Sequence, residues 1–192
     1  MPEHRSLPLF RWGEEIRRNR IARRDGCRRI VAAASAAAAA TGLAATSLWS
    51  PRPLLVWNAS ASSPLGLYAV APTGALAVGE MVIARPPRVA ARLAAERGYL
   101  PEAVPLVKRV AAAEGDRVCA AGEAVFINER LETLRRSADG AGRLLPSWTG
   151  CESLVGGQVF LLGSGTDSFD GRYFGVTERA EIVGRARLLW GR

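Results

Sequence analysis

The stretch Asn58-Ala59-Ser60-Ala61-Ser62-Ser63-Pro64-Leu65-Gly66-Leu67-Tyr68 begins about ten residues after a long uncharged run and carries three serines within four positions. Proline and glycine then constrain the backbone ahead of a β-like segment. Two readings fit these residues. A serine-rich run before a strand is an ordinary polar turn, because short hydroxyl side chains bond their own backbone. The same run just outside a membrane could be a nucleophile loop, provided the chain supplies a base for one serine.

The uncharged run covers residues 30–49. These 20 residues, at about 1.5 Å each, span about 30 Å, one hydrocarbon core. The run is alanine-rich, so its hydropathy is modest and its helix propensity high. Trp49 falls where an interfacial aromatic would sit, and Pro51 and Pro53 would end the helix. Residues 1–29 hold nine arginines against Glu3, Glu14, Glu15 and Asp25, whereas only Arg52 closely follows the run. That asymmetry predicts a cytoplasmic arginine-rich tail (1–29), one transmembrane anchor (30–49) and a domain on the far side (50–192). A cleaved secretory signal competes, because small residues lie near Ala44 to Ser47. The leader and the run are both longer than such signals usually carry, which favours a retained anchor.

The remaining chain is long enough to bury its own core. The net charge of +8 is concentrated before the run, +5 in 1–29 against +3 in 51–192. A nucleic-acid binder needs its basic patch on the folded domain, so that class is set aside. Short segments rich in valine, isoleucine and phenylalanine lie at 54–57, 66–71, 81–84, 106–112, 117–119, 124–127, 158–162 and 182–190. Short strands without alternating helices predict a mostly β, antiparallel domain. One helix is expected at 88–97, after Pro86-Pro87 and before Gly98, and reads as a surface helix with an alanine-rich packing face. Residues 129–150 read as a loop-rich insertion.

Cys27 lies on the arginine-rich side and is expected to be reduced. Cys119 and Cys151 follow the anchor and match no zinc spacing. They are either two free buried thiols or a disulfide, and an oxidising compartment favours the disulfide.

Of 26 basic residues, 25 are arginine; Lys108 is the only lysine and His4 the only histidine. His4 precedes the anchor, so a Ser-His-Asp triad, a zinc hydrolase and a cysteine–histidine pair all lack their histidine. No metal or cofactor is expected. Serine with lysine as general base remains. Arginine cannot take that role because it does not lose its proton. A lysine near pKa 10.4 must fall by about 3 units to be half neutral at pH 7, which burial can achieve. Lys108 sits in Pro105-Leu106-Val107-Lys108-Arg109-Val110-Ala111, an apolar strand context. Its bland reading is one exposed survivor of an arginine-biased composition.

In these stretches the sequence resembles the signal peptidase family with a Ser-Lys dyad, most closely its conjugative-transfer (TraF-type) branch. Residues 58–68 are similar to that branch's Asn-x-Ser-x-Ser-x-Pro-x-Gly-Leu-Tyr box. Pro105-Leu106-Val107-Lys108-Arg109-Val110, continuing through Gly115-Asp116, resembles the lysine box. Ser168-Phe169-Asp170-Gly171-Arg172-Tyr173-Phe174-Gly175 resembles the late box, with Gly171 where serine is common. The resemblance implies Ser62 as nucleophile and Lys108 as base. It implies Ser60 as an oxyanion-hole donor, Ser168 as a lysine-orienting hydroxyl, and a structural Asp170–Arg172 ion pair. Ser63 is expected to be dispensable. The implied fold is an antiparallel β catalytic domain with a small cap and an apolar face resting on the membrane. The implied activity is a serine endopeptidase at the periplasmic face of a bacterial inner membrane. It would remove a leader or propeptide from an exported precursor, such as a conjugative pilin. A housekeeping signal peptidase and a non-enzymatic assembly factor of a conjugation or secretion complex are the alternatives.

Overall fold

The computed structural model describes residues 8–48 and 53–191; within the first span, side chains are described at 17, 23, 24 and 28–45. The chain divides into two compact units, residues 1–51 and 52–192.

The first unit contains one helix, α1 (Pro8–Leu48), 41 residues long. It begins well before the uncharged run, so residues 8–29 of the arginine-rich segment are helical too. Alanine, arginine and leucine favour this, and Pro8 occupies the first position, where its missing N–H costs nothing. Among the described residues, no helix is long and apolar enough to cross a membrane. His4, Trp49, Pro51 and Arg52 lie outside the described residues.

The second unit is built on two antiparallel sheets. The larger contains β1 (Leu55–Asn58), β2 (Gly66–Ala71), β3 (Met81–Ala84), β4 (Leu106–Ala112), β9 (Phe160–Leu162) and β10 (Ile182–Gly191), in the order β1-β2-β10-β3-β4-β9. The smaller is β7-β6-β5-β8, from β5 (Arg117–Ala121), β6 (Ala124–Ile127), β7 (Arg130–Leu134) and β8 (Gly150–Ser153). The fold is therefore mostly antiparallel β.

The larger sheet curls strongly. Five strand spacings in a flat sheet would put its edges about 24 Å apart. Yet Ser164 N–H, just past β9, donates to Ser62 O, between β1 and β2, at 2.8 Å. Strand twist makes such closure accessible. Tyr68, Ile83, Val107 and Val183 fill one part of the core, and Val82, Ala84, Val110, Val159 and Leu161 another. Val118, Val125, Leu154 and Phe160 join the two sheets.

Helix α2 (Arg88–Glu96) buries Ala90, Ala91 and Ala94 in the excursion between β3 and β4. The segment expected to be loop-rich, 129–150, holds one strand, β7, and ends at the first residue of β8. That strand follows a two-residue hairpin turn at Asn128 and Glu129, both with positive φ (49° and 68°). Cys119 and Cys151 lie opposite each other in the β5–β8 pairing and form a disulfide. The bond closes a separation of 32 residues, which adds about 3–4 kcal/mol in the chain-entropy picture.

Candidate active site

Lys108 lies in β4 opposite Val82 and is 2% exposed. Its neighbour Arg109 faces solvent and pairs with Glu132 at 3.2 Å, as strand alternation requires. Lys108 Nζ donates to Ser62 Oγ at 2.6 Å and to Ser168 Oγ at 2.8 Å. Burial lowers the Lys108 pKa to about 8; Asp170 opposes the shift and Arg172 adds to it. Desolvation wins because the two nearby charges act in opposite directions.

Ser62 sits on a loop organised by Asn58, which is buried. The Asn58 amide nitrogen donates to the carbonyls of Ser60, Ser63 and Pro64 at 3.0, 3.1 and 3.0 Å. Its oxygen accepts from Ser60 N–H at 3.1 Å, an Asx turn. Tyr68 adds a hydroxyl bond to Pro64 O at 2.7 Å. Sequence reasoning quoted Asn58 without giving it a role. The signal was the Asn-x-Ser spacing that an Asx turn uses.

Ser63, expected to be dispensable, is buried and bonded on two sides. It is 4% exposed, and its hydroxyl contacts Val107 O at 2.6 Å and Ser62 O at 2.9 Å. It fastens the Ser62 loop to the strand that carries Lys108. Ser60 Oγ is exposed, 2.9 Å from Ser62 Oγ, and accepts from Ser62 N–H at 3.4 Å. A hydroxyl and a backbone donor thus lie together beside Ser62.

Ser168 belongs to the loop after β9, held by a buried ion pair. Asp170 is fully buried and Arg172 is 3% exposed. Arg172 Nε donates to Asp170 Oδ1 at 3.0 Å and Nη2 to Oδ2 at 3.1 Å. The guanidinium also binds Thr166 O, Gly163 O and Gly165 O at 3.2, 2.9 and 2.9 Å. The carboxylate accepts from Gly163 N–H at 2.8 Å and from Arg172 N–H at 3.1 Å. The second bond caps a single-turn helix, α3 (Gly171–Phe174).

Two glycines permit close approach here. A Cβ on Gly163 would lie 2.2 Å from Ser168 Oγ and 2.8 Å from Ser62 O. One on Gly171 would lie 2.8 Å from Leu161 O, so the glycine that replaces the common serine fits tight packing against β9. Gly163 had no assigned role in the sequence; nothing local marks the approach of two distant loops.

All six residues singled out for the site therefore cluster: Ser60, Ser62, Lys108, Ser168, Asp170 and Arg172. Among the described residues, no group of three or more His, Cys, Asp or Glu side chains is placed to hold a metal ion. An open apolar cleft of about 430 Å³ abuts the Ser62 loop, lined by Trp57, Asn58, Ala59, Leu65, Gly66 and Trp190. Trp57 and Trp190 flank Leu67 in register, with ring centroids 5.8 Å apart. Leu55, on the same face of β1 as Trp57, extends this exposed apolar surface.

Comparison with known proteins gives matches over most of the chain. Residues 27–190 match the family model described as signal peptidase, peptidase S26. A plasmid transfer protein TraF of Escherichia coli is 35% identical over 146 residues, covering 69% of this chain and 82% of that protein. A probable conjugal transfer protein TraF of Sinorhizobium fredii (strain NBRC 101917 / NGR234) is 35% identical over 142 residues, covering 68% and 73%. A crystal structure of signal peptidase I from Enterococcus faecalis V583 aligns with 60% of this chain and 98% of its own, at 16% identity and a TM-score of 0.33.

Proposed function

The chain belongs to the signal peptidase family, peptidase S26, and on that premise we propose that it is a serine endopeptidase using a Ser62–Lys108 dyad. The observation that carries the proposal is the 2.6 Å contact between Lys108 Nζ and Ser62 Oγ, with the amine buried and its pKa lowered to about 8. About a tenth of molecules then hold a neutral Lys108 at pH 7, and half do so near pH 8. Neutral Lys108 takes the Ser62 proton as Ser62 Oγ attacks the scissile carbonyl. The Ser60 hydroxyl and the Ser62 N–H stabilise the oxyanion. Lys108 returns the proton to the leaving amine, and water hydrolyses the acyl-enzyme.

The substrate is an exported precursor, and the TraF relatives point to one used in conjugation, such as a pilin precursor. We place the enzyme at the periplasmic face of a bacterial inner membrane. Two features support this: the uncharged run at 30–49 with arginines before it, and the exposed surface of Leu55, Trp57 and Trp190 beside the Ser62 loop. Single exposed apolar residues are common, but a contiguous patch marks a contact with lipid or protein.

Co-expression with a pilin precursor tests the dyad. Ser62→Ala and Lys108→Arg are both expected to abolish processing, the second although it keeps the positive charge. Mature product from Lys108→Arg at near-normal yield would remove Lys108 as base. Accumulation of general secretory precursors on depletion would favour the housekeeping role.

A further inference from the structure

Phe169 lies between two site residues, Ser168 and Asp170, and contacts neither Lys108 nor Ser62 in any described bond. Its ring stacks on Tyr173 (5.7 Å, 13°) and meets Phe174 edge-on at 5.8 Å. A third ring, Tyr99, closes on it at 5.5 Å. Tyr99 comes from the excursion that carries α2, and its N–H donates to Ala94 O at 2.8 Å.

Tyr99 is itself held. Its hydroxyl donates to Asp139 Oδ2 in the segment between β7 and β8. Arg143 Nε donates to the same oxygen at 2.7 Å, and its guanidinium lies over the Tyr99 ring at 5.6 Å. Ala141 N–H and Arg143 N–H each reach Asp139 Oδ1 at 2.9 Å, and Arg97 approaches Oδ2 at 3.8 Å. The Asp139 side chain is 8% exposed. These bonds, led by that from Tyr99, hold its carboxyl well below the usual range. Three segments distant in sequence thus converge on one ring, next to the serine that contacts Lys108.

We propose that Tyr99 and Asp139 are positioning residues for the dyad, holding Phe169 so that the Ser168 hydroxyl stays against Lys108. The proposal rests on the reading of Lys108 as the base. It gives a role to two segments that read from the sequence as surface helix and loop. If the clamp loosens, Ser168 withdraws and water reaches Lys108 Nζ. Desolvation is the main cause lowering that amine, with Asp170 and Arg172 as the nearby charges. Its pKa then climbs back towards 10.5 and less neutral amine is present at pH 7.

Kinetics of a precursor peptide across pH, together with a direct titration of Lys108 Nζ, test this in the full-length protein. Tyr99→Ala and Asp139→Ala are expected to lower kcat at pH 7 by about 10- to 100-fold, the scale of small misplacements, with KM nearly unchanged. The pH midpoint of the rate and the Nζ titration should both move upward. Asp139→Asn keeps an acceptor for the Tyr99 hydroxyl and should restore most of the rate. Tyr99→Phe, which keeps the ring, should fall between; it continues the test if Tyr99→Ala does not fold. A lower melting temperature with kcat and both midpoints unmoved would reduce the cluster to a structural role and overturn the proposal. The Nζ titration does not depend on activity. An upward shift in these variants alongside an active Lys108→Arg enzyme would keep the clamp and remove the dyad. An inactive Lys108→Arg enzyme with Nζ unmoved in the clamp variants would do the reverse.

Discussion

The loop at 58–65 brings Ser62 to Lys108, and the loop at 163–170 brings Ser168. The first is held by neutral groups: the Asn58 amide on three carbonyls and the Ser63 hydroxyl on Val107 O. The second is held by full charges, the buried Asp170–Arg172 pair with three further guanidinium bonds to backbone. The role proposed for Lys108 needs an amine that is easy to deprotonate, and a lone carboxylate beside it would oppose that. The neutral loop adds no charge. The ionic loop adds two charges whose effects on Lys108 oppose each other. Burial is then left to set the pKa.

Breaking the ionic loop should have the largest effect. Arg172→Leu leaves Asp170 buried without a counter-charge, which typically costs about 3–5 kcal/mol. Urea unfolding measures it. The uncompensated carboxylate should also move the pH midpoint of the reaction upward. Asp170→Asn leaves the guanidinium and should move it downward. Midpoint shifts in the same direction for both variants would show that the two charges do not act on Lys108 as a balanced pair.

The neutral loop should yield less. Asn58→Ala removes the partner described for the Ser60 N–H and for Ser63 O, while Pro64 O keeps the Tyr68 hydroxyl and Ser60 O the Ser63 N–H; leaving one such group unsatisfied costs about 1–3 kcal/mol. The loss should appear as reduced kcat as well as stability, because the Ser62 turn loses its organiser. Ser63→Ala should cost about 1 kcal/mol, the net worth of one hydrogen bond, and up to about fivefold in kcat. A Ser63→Ala enzyme with wild-type kcat and melting temperature would restore that serine to the dispensable role its sequence suggested.

The two loops also differ in how much of them could be read. Strands such as Gly66–Ala71, Met81–Ala84, Leu106–Ala112 and Ala124–Ile127 were legible to the residue, because apolar runs ended at clear turn signals. Lys108 stood out as the candidate base because the composition left no other, while the choice of Ser62 among three serines came from the resemblance. The fastenings were not. Ser63 finds its acceptor 44 residues away, and Gly163 is needed only because two remote loops touch. The strand after Asn128-Glu129 was hidden because such a turn ordinarily carries glycine at its second position. The four-residue helix after Asp170 is too short to show a period.

Lys108 is the only lysine in the chain. Lysine labelled with ¹⁵N at Nζ therefore gives a single side-chain amine resonance without assignment. Its titration in the folded, full-length enzyme measures directly whether the amine is poised as a base. A midpoint near 8, where burial places it, together with its perturbation in Ser168→Ala, is the expected result. A midpoint at the ordinary value near 10.4, unchanged by Ser168→Ala, would contradict a buried Ser62–Lys108 dyad.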